Sequence, residues 1–84
     1  MHQPGKPLPK IWLMTDQRND AVLDSAIRKL PNGCGIIFRH YHLNEKERAR
    51  RFLEILPLAK RKGHIVMLAG DPKQARKWSA DGVH

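Results

Sequence analysis

The stretch Gly63-His64-Ile65-Val66-Met67-Leu68-Ala69-Gly70-Asp71-Pro72 decides the fold. Four consecutive apolar residues, Ile65 to Leu68, are too few for a helix. They are too continuous for a strand with one wet face, so they read as a strand buried on both faces. Gly63 follows the basic run Lys60-Arg61-Lys62, a combination that ends a helix. Asp71 and Pro72 begin another: an Asp accepts from the free N–H groups of a first turn, and proline at the first helical position has its φ preset. Helix, buried strand and helix thus succeed one another without a long loop, which is the grammar of a parallel sheet.

The same unit recurs in both directions. Upstream, Ile11-Trp12-Leu13-Met14 is a short apolar run ending in Thr15-Asp16, and Ile36-Ile37-Phe38 is a second, running into Arg39-His40-Tyr41-His42. Between them Asn19 or Asp20 caps a helix whose stripe is Val22, Leu23, Ala26, Ile27 and Leu30, with Arg28 and Lys29 in its last turn and Pro31-Asn32-Gly33 as its stop. Asn44 opens a second helix, with Glu47 three residues on as in a capping box. Its stripe is Ala49, Phe52, Leu53, Leu56 and Ala59, and Pro57 is expected to kink it or end it about one turn early. The third helix has a thin apolar face, Ala75 and Trp78. Ala80-Asp81-Gly82-Val83-His84 reads as the opening of a fourth strand. The order is β-α-β-α-β-α-β with parallel strands and right-handed crossovers. Residues 1–10 hold Pro4, Pro7 and Pro9 and read as an extended arm, leaving 11–84 as the folded unit.

Composition bounds the rest. The chain has 84 residues, 40% hydrophobic and 29% charged, with a mean hydropathy of −0.59, which suits one small domain with a thin core. No apolar run approaches the ~18 residues a membrane span needs. The first ten residues lack the apolar core of a secretory signal. A single cysteine, Cys34, excludes an internal disulfide framework and a cysteine-based zinc site, and fits a reducing cytoplasm. It reads as an inert buried thiol. Sixteen Lys and Arg against eight Asp and Glu give a net charge of +8, which suits a polyanionic partner without choosing one.

Three of these stretches together resemble the thiamine phosphate synthase family and its TenI-type relatives. They are Ile11-Trp12-Leu13-Met14-Thr15-Asp16, similar to the family's first barrel strand; Ile36-Ile37-Phe38-Arg39, similar to its second; and Ala80-Asp81-Gly82-Val83-His84, similar to the family's Ala-Asp-Gly-Val-His at strand four. The resemblance covers residues 11–84. It implies a TIM barrel, a fold of about 200–250 residues, of which these residues supply the N-terminal half: three βα units and the start of strand four. It also implies a cytoplasmic protein of thiamine biosynthesis that binds a phosphorylated pyrimidine or thiazole at the carboxyl ends of its strands. A half-barrel standing alone is expected to self-associate through its open edges.

By that resemblance Arg39 contacts a diphosphate, a role that suits a guanidinium fork. Tyr41, Thr15, Asp16 and His84 belong to the same binding rim. The resemblance further implies Mg²⁺, with Asp71 the nearest residue to the family's strand-three ligand, one place late because Ala69-Gly70 stand where the family has Asn-Asp. The family's Gln and Lys flanking the strand-two Arg are replaced by Ile37 and Tyr41. Synthase activity is therefore not expected of the 84 residues alone, and a TenI-like thiazole tautomerase or a non-catalytic paralogue is the alternative within the family.

Each site residue also has a plainer reading. Arg39 reads as an arginine reaching a rim carboxylate, Tyr41 as rim packing, His84 as a frayed end. Asp16 reads as the cap of a turn, which we prefer to its orienting a substrate amine. Alternation along strand two puts His40 with His42 on one face and Arg39 with Tyr41 on the other. The histidines are expected to pack beside a helix or loop, since no third zinc ligand is near. Trp12 and Trp78 are expected in the core or between helix and sheet. The basic run Lys46, Arg48, Arg50, Arg51, Lys60, Arg61 and Lys62 is expected to be a solvated outer face. A small basic nucleic-acid-binding domain is the competing class, but nucleic acid is not the expected partner: no recognition motif or stacking platform is evident.

Overall fold

In the computed structural model, residues 9–84 are described. The extended arm expected over 1–10 therefore lies, save Pro9 and Lys10, outside the described residues. Four strands run in chain order across one parallel sheet: β1 (Trp12–Met14), β2 (Gly35–Phe38), β3 (Ile65–Leu68) and β4 (Gly82–Val83). The crossovers are a 3-10 turn (Asp20–Val22) leading into α1 (Leu23–Lys29), then α2 (Glu45–Arg61) and α3 (Pro72–Lys77).

Strand order 1-2-3-4 with crossovers of one hand places every helix on the same face of the sheet. A single core confirms it. Ile36 and Phe38 from β2 and Val66 and Leu68 from β3 pack with Leu23 and Ile27 of α1, Phe52, Ile55 and Ala59 of α2, and Ala75 of α3. The alternate residues face away from the helices, and among the described residues no helix covers them. There Trp12 lies flat over Gly35, so closely that a β-carbon on Gly35 would stand 2.2 Å from the indole. Met14 is 47% exposed on this face. The chain is thus α/β and singly wound, the arrangement a βα barrel uses and a doubly wound sheet does not.

The expectation of strands buried on both faces holds only for β2, all four residues of which are buried; β3 alternates between buried and half-buried residues. The centre of the sheet has strand neighbours on both sides, while the helix-free face has only its own side chains for cover.

Three local readings change. Val22, expected in the stripe of α1, is 60% exposed, because residues 20–22 form a 3-10 turn and shift the helix start to Leu23. Pro57 neither breaks nor shortens α2, which runs on to Arg61. Its ring is on the solvent side, and the burial of Ile55 and Ala59 on either side outweighs the one lost backbone bond. The buried face of α2 is Arg48, Phe52, Ile55 and Ala59, and Leu53 is 59% exposed. The caps of α2 and α3 follow expectation: Asn44 Oδ1 accepts from Glu47 N–H at 2.9 Å, and Asp71 Oδ1 from Lys73 N–H at 2.8 Å. Neither Asn19 nor Asp20 caps α1 as expected, because the 3-10 turn at 20–22 intervenes and Val22 takes the N-cap position with no side-chain bond. No helix among the described residues is long and apolar enough to cross a membrane.

Candidate functional site

The carboxyl ends of β1 and β2 bring together Thr15, Asp16, Arg39 and His40. Strand pairing continues to this edge, since Thr15 N–H donates to Ile37 C=O at 3.0 Å. Arg39 N–H then donates to the Thr15 hydroxyl at 2.8 Å. That hydroxyl is fully buried and lies 2.7 Å from His40 Nδ1. The Asp20 carboxylate, whose Oδ1 is 2.6 Å from Nε2, can only accept, so Nε2 carries the proton and Nδ1 of the neutral ring accepts from the Thr15 hydroxyl. Arg51 Nε donates to the same carboxylate oxygen at 2.7 Å and also pairs with Asp24 and Glu54. A continuous polar chain therefore runs from the end of β2 through Thr15, His40 and Asp20 to α2.

The electrostatics follow from this chain. Burial pushes the His40 imidazole below its ordinary value of 6.5, against the opposing pull of Asp20. Burial works to raise the Asp20 carboxyl, but hydrogen bonds from His40 and Arg51 outweigh it and hold it below the usual carboxylate range. The state they favour is a neutral imidazole donating to an ionised carboxylate. A hydroxyl, an imidazole and a carboxylate in series also describe a nucleophilic triad, but here the hydroxyl has no access to solvent or substrate. The chain is a brace for the strand ends.

Arg39 has a different position. Its backbone is fixed twice: the N–H by Thr15, and the C=O by Arg48 Nε at 2.7 Å. Its guanidinium lies 3.7 Å from Met14 Sδ, over the helix-free face, and no carboxylate among the described residues lies within salt-bridge distance of it. The plainer reading, an arginine satisfied by a rim carboxylate, finds no partner there.

The other expected site residues separate. Asp16 takes the turn role: Oδ1 accepts from Asn19 N–H at 3.1 Å, which, with Arg18 nearby, holds its carboxyl below the usual range although burial opposes it. Tyr41 is 65% exposed, and its ring covers the Arg48 guanidinium at 5.5 Å. Strand alternation does not reach it, because β2 ends at Phe38 and His40 turns into the left-handed region at φ 44°. The histidines do lie together as expected, their rings 5.0 Å apart, with His40 stacked on Phe38. His84 is exposed, joined to β3 by its N–H to Leu68 C=O at 2.9 Å. Asp71 is occupied as the cap of α3 and lines a cleft of about 200 Å³ with Glu45, Lys73 and Trp78, apart from Arg39. No group of three or more His, Cys, Asp or Glu that could hold a metal ion occurs among the described residues.

Arg48 is the residue that sequence reading misplaced. Expected on a solvated face, it is 9% exposed. It donates to Arg39 C=O, to Ala69 C=O at 2.6 Å and to Gln74 Oε1 at 3.3 Å, and its guanidinium is ringed by Phe38, Tyr41 and Trp78 at 5.5–5.7 Å. It ties the ends of β2 and β3 to α3. Its spacing with Phe52, Ile55 and Ala59, four, three and four residues, marks one helix face and could have revealed it. Arg51 likewise turns inward; Lys46, Arg50, Lys60 and Arg61 are exposed as expected. Trp78 packs on Phe52 at 5.6 Å, as expected, whereas Trp12 lies on the helix-free face.

Compared with known proteins, the chain matches no family model, no curated protein and no solved structure.

Proposed function

We propose that residues 11–84 form the N-terminal half of a βα barrel of the thiamine phosphate synthase type, and that the carboxyl end of this half-barrel binds the phosphate of a phosphorylated pyrimidine or thiazole in the cytoplasm. Arg39 is the contact. The observation that carries this reading is an arginine fixed at both backbone sides, unpaired with any described carboxylate, at the carboxyl end of β2. That is the end of the strands where barrels of this kind hold ligands, and a guanidinium fork matches phosphate oxygens in pairs. The helix-free apolar face supports the half-barrel: in a closed barrel it would be the packed interior.

Binding, not group transfer, is the activity these residues account for. Ile37 and Tyr41 stand where the resembled family has polar contacts, and Ala69-Gly70 where it has the strand-three Asn-Asp. Isothermal titration with inorganic pyrophosphate and with thiamine phosphate tests the reading. Binding that weakens at least about tenfold in Arg39→Gln, the loss of one charge-assisted pair, is expected. Equal binding by the variant and the native protein contradicts it.

A further inference from the structure

We propose that the amino end of the sheet, opposite the candidate phosphate site, is a docking surface for the sugar-phosphate backbone of a nucleic acid, read without base specificity. The surface is built by topology. Helices α1 and α2 both run antiparallel to the strands, so both end there, α1 with Arg28 and Lys29 and α2 with Lys60 and Arg61 in its last turn and Lys62 as its cap. Lys10 precedes β1 at the same end. Backbone bonds gather these segments: Gly33 N–H to Lys62 C=O at 2.9 Å, and Gly35 N–H to Ile11 C=O at 2.9 Å.

The charges are segregated. Asp16, Asp20, Glu45, Glu47 and Asp71 all lie towards the carboxyl end, at or beside the starts of the helices, and Asp24 and Glu54 are both held by Arg51. Asp81 is the one carboxylate at the amino end among the described residues. It is consumed internally, by Lys60 at 3.2 Å and by Val66 N–H at 2.7 Å. Six cations face one carboxylate, a surplus of five out of the chain's +8.

Cations in a last turn offset the partial charge of a helix end, about half an elementary charge each, and two helix ends account for about one of the surplus five. The remainder is free for an external polyanion. Nucleic acid suits it better than a lipid surface, because both helices meet this surface end-on. Neither lays an amphipathic side along it, so the surface offers a bilayer no apolar helix face to insert and only charge would hold it there. Flexible lysines and arginines hold phosphates without reading bases, and Asn32 is the one exposed amide among them in the described residues.

The test is fluorescence anisotropy of a labelled 20-base-pair duplex titrated with the native protein across a salt series. With about five phosphate contacts, affinity should fall on the order of 10²–10³-fold between 50 and 200 mM salt. The variant Arg28→Gln/Lys29→Gln/Arg61→Gln should lower affinity at least about thirtyfold at 50 mM salt and flatten the log–log salt slope by about 2.7. A control of equal charge loss at the other end, Arg18→Gln/Lys46→Gln/Lys73→Gln, should change affinity less than about threefold. Amide shift mapping on the native protein, which needs no variant to fold, should place the duplex on residues 28–34 and 60–63. Equal loss in both variants, no binding by the native protein, or tighter binding to phosphatidylserine vesicles than to duplex at equal charge overturns the proposal.

Discussion

Two buried histidines sit at opposite ends of the sheet and are held in opposite ways. His64, at the amino end, meets only neutral backbone: Nδ1 accepts from Cys34 N–H at 3.0 Å, and Nε2–H donates to Ile27 C=O at 3.2 Å. His40, at the carboxyl end, meets a hydroxyl and a carboxylate, and the carboxylate meets an arginine. One histidine is a spacer that ties α1 to the start of β2. The other is a link in a charged chain whose strength depends on protonation. The amino end is therefore built for fixed stability, and the carboxyl end, where the unpaired Arg39 sits, is built from groups that a ligand or pH can bias.

The largest effect should come from Arg48, the third tie of the carboxyl end. Arg48→Ala leaves the Arg39 and Ala69 carbonyls without their donor and removes the cation from a ring of three aromatics. A loss of about 2–4 kcal/mol in chemical denaturation is expected. Arg48→Lys should recover only part of it, because one ammonium does not span both carbonyls as the guanidinium does. Full recovery by lysine would show that charge alone matters there.

Next is His64. Phenylalanine fills the volume but strands Cys34 N–H and Ile27 C=O, for a cost of about 1–3 kcal/mol. The carboxyl-end chain should be untouched, so the pH dependence assigned to His40 should persist in His64→Phe.

That pH dependence is the third prediction. Burial holds the His40 imidazole below 6.5, so below that pH the unfolded chain binds the proton that the folded chain resists. Stability is fully present above about pH 6.5 and falls as pH drops below it, by at most about 1.4 kcal/mol per pH unit for one proton. Asp20 adds a second window. Its carboxyl is held low, so its contribution is present above 3.8 and lost as pH falls below that value. Comparing urea denaturation of the native protein and His40→Gln at pH 7.5 and pH 5.5 reads the first window. The same pH dependence in both proteins would remove His40 as its source. The smallest effect is Arg39→Gln, which should change stability by less than about 0.5 kcal/mol, as expected for a side chain that braces nothing.

The order of elements was legible because each strand is a short apolar run bounded by its own turn signals, and the caps at Asn44 and Asp71 are local chemistry. What escaped was settled by distant partners. Pro57 follows a rule about isolated helices, which the burial of Ile55 and Ala59 overrides. Arg48 reads as a surface cation until Phe38, Tyr41, Trp78 and two strand-end carbonyls close around it, contacts 7 to 30 residues away in the chain. His40 looked like a loop histidine because Thr15 and Asp20, its partners, lie 25 and 20 residues upstream. Within the candidate site, the place of Arg39 just past the end of β2 and the turn role of Asp16 were readable from position. The burial of Thr15 and the exposure of Tyr41 were not, since both depend on where β2 ends.

The division between the two ends is tested most directly by amide chemical-shift mapping of the native protein with inorganic pyrophosphate at 150 mM salt, where loose attraction to exposed cations is screened. The account predicts saturable shifts centred on Thr15, Asp16 and Arg39 to Tyr41, with residues 28–34 and 60–63 unmoved. Shifts confined to the amino end, or none that saturate, would contradict it.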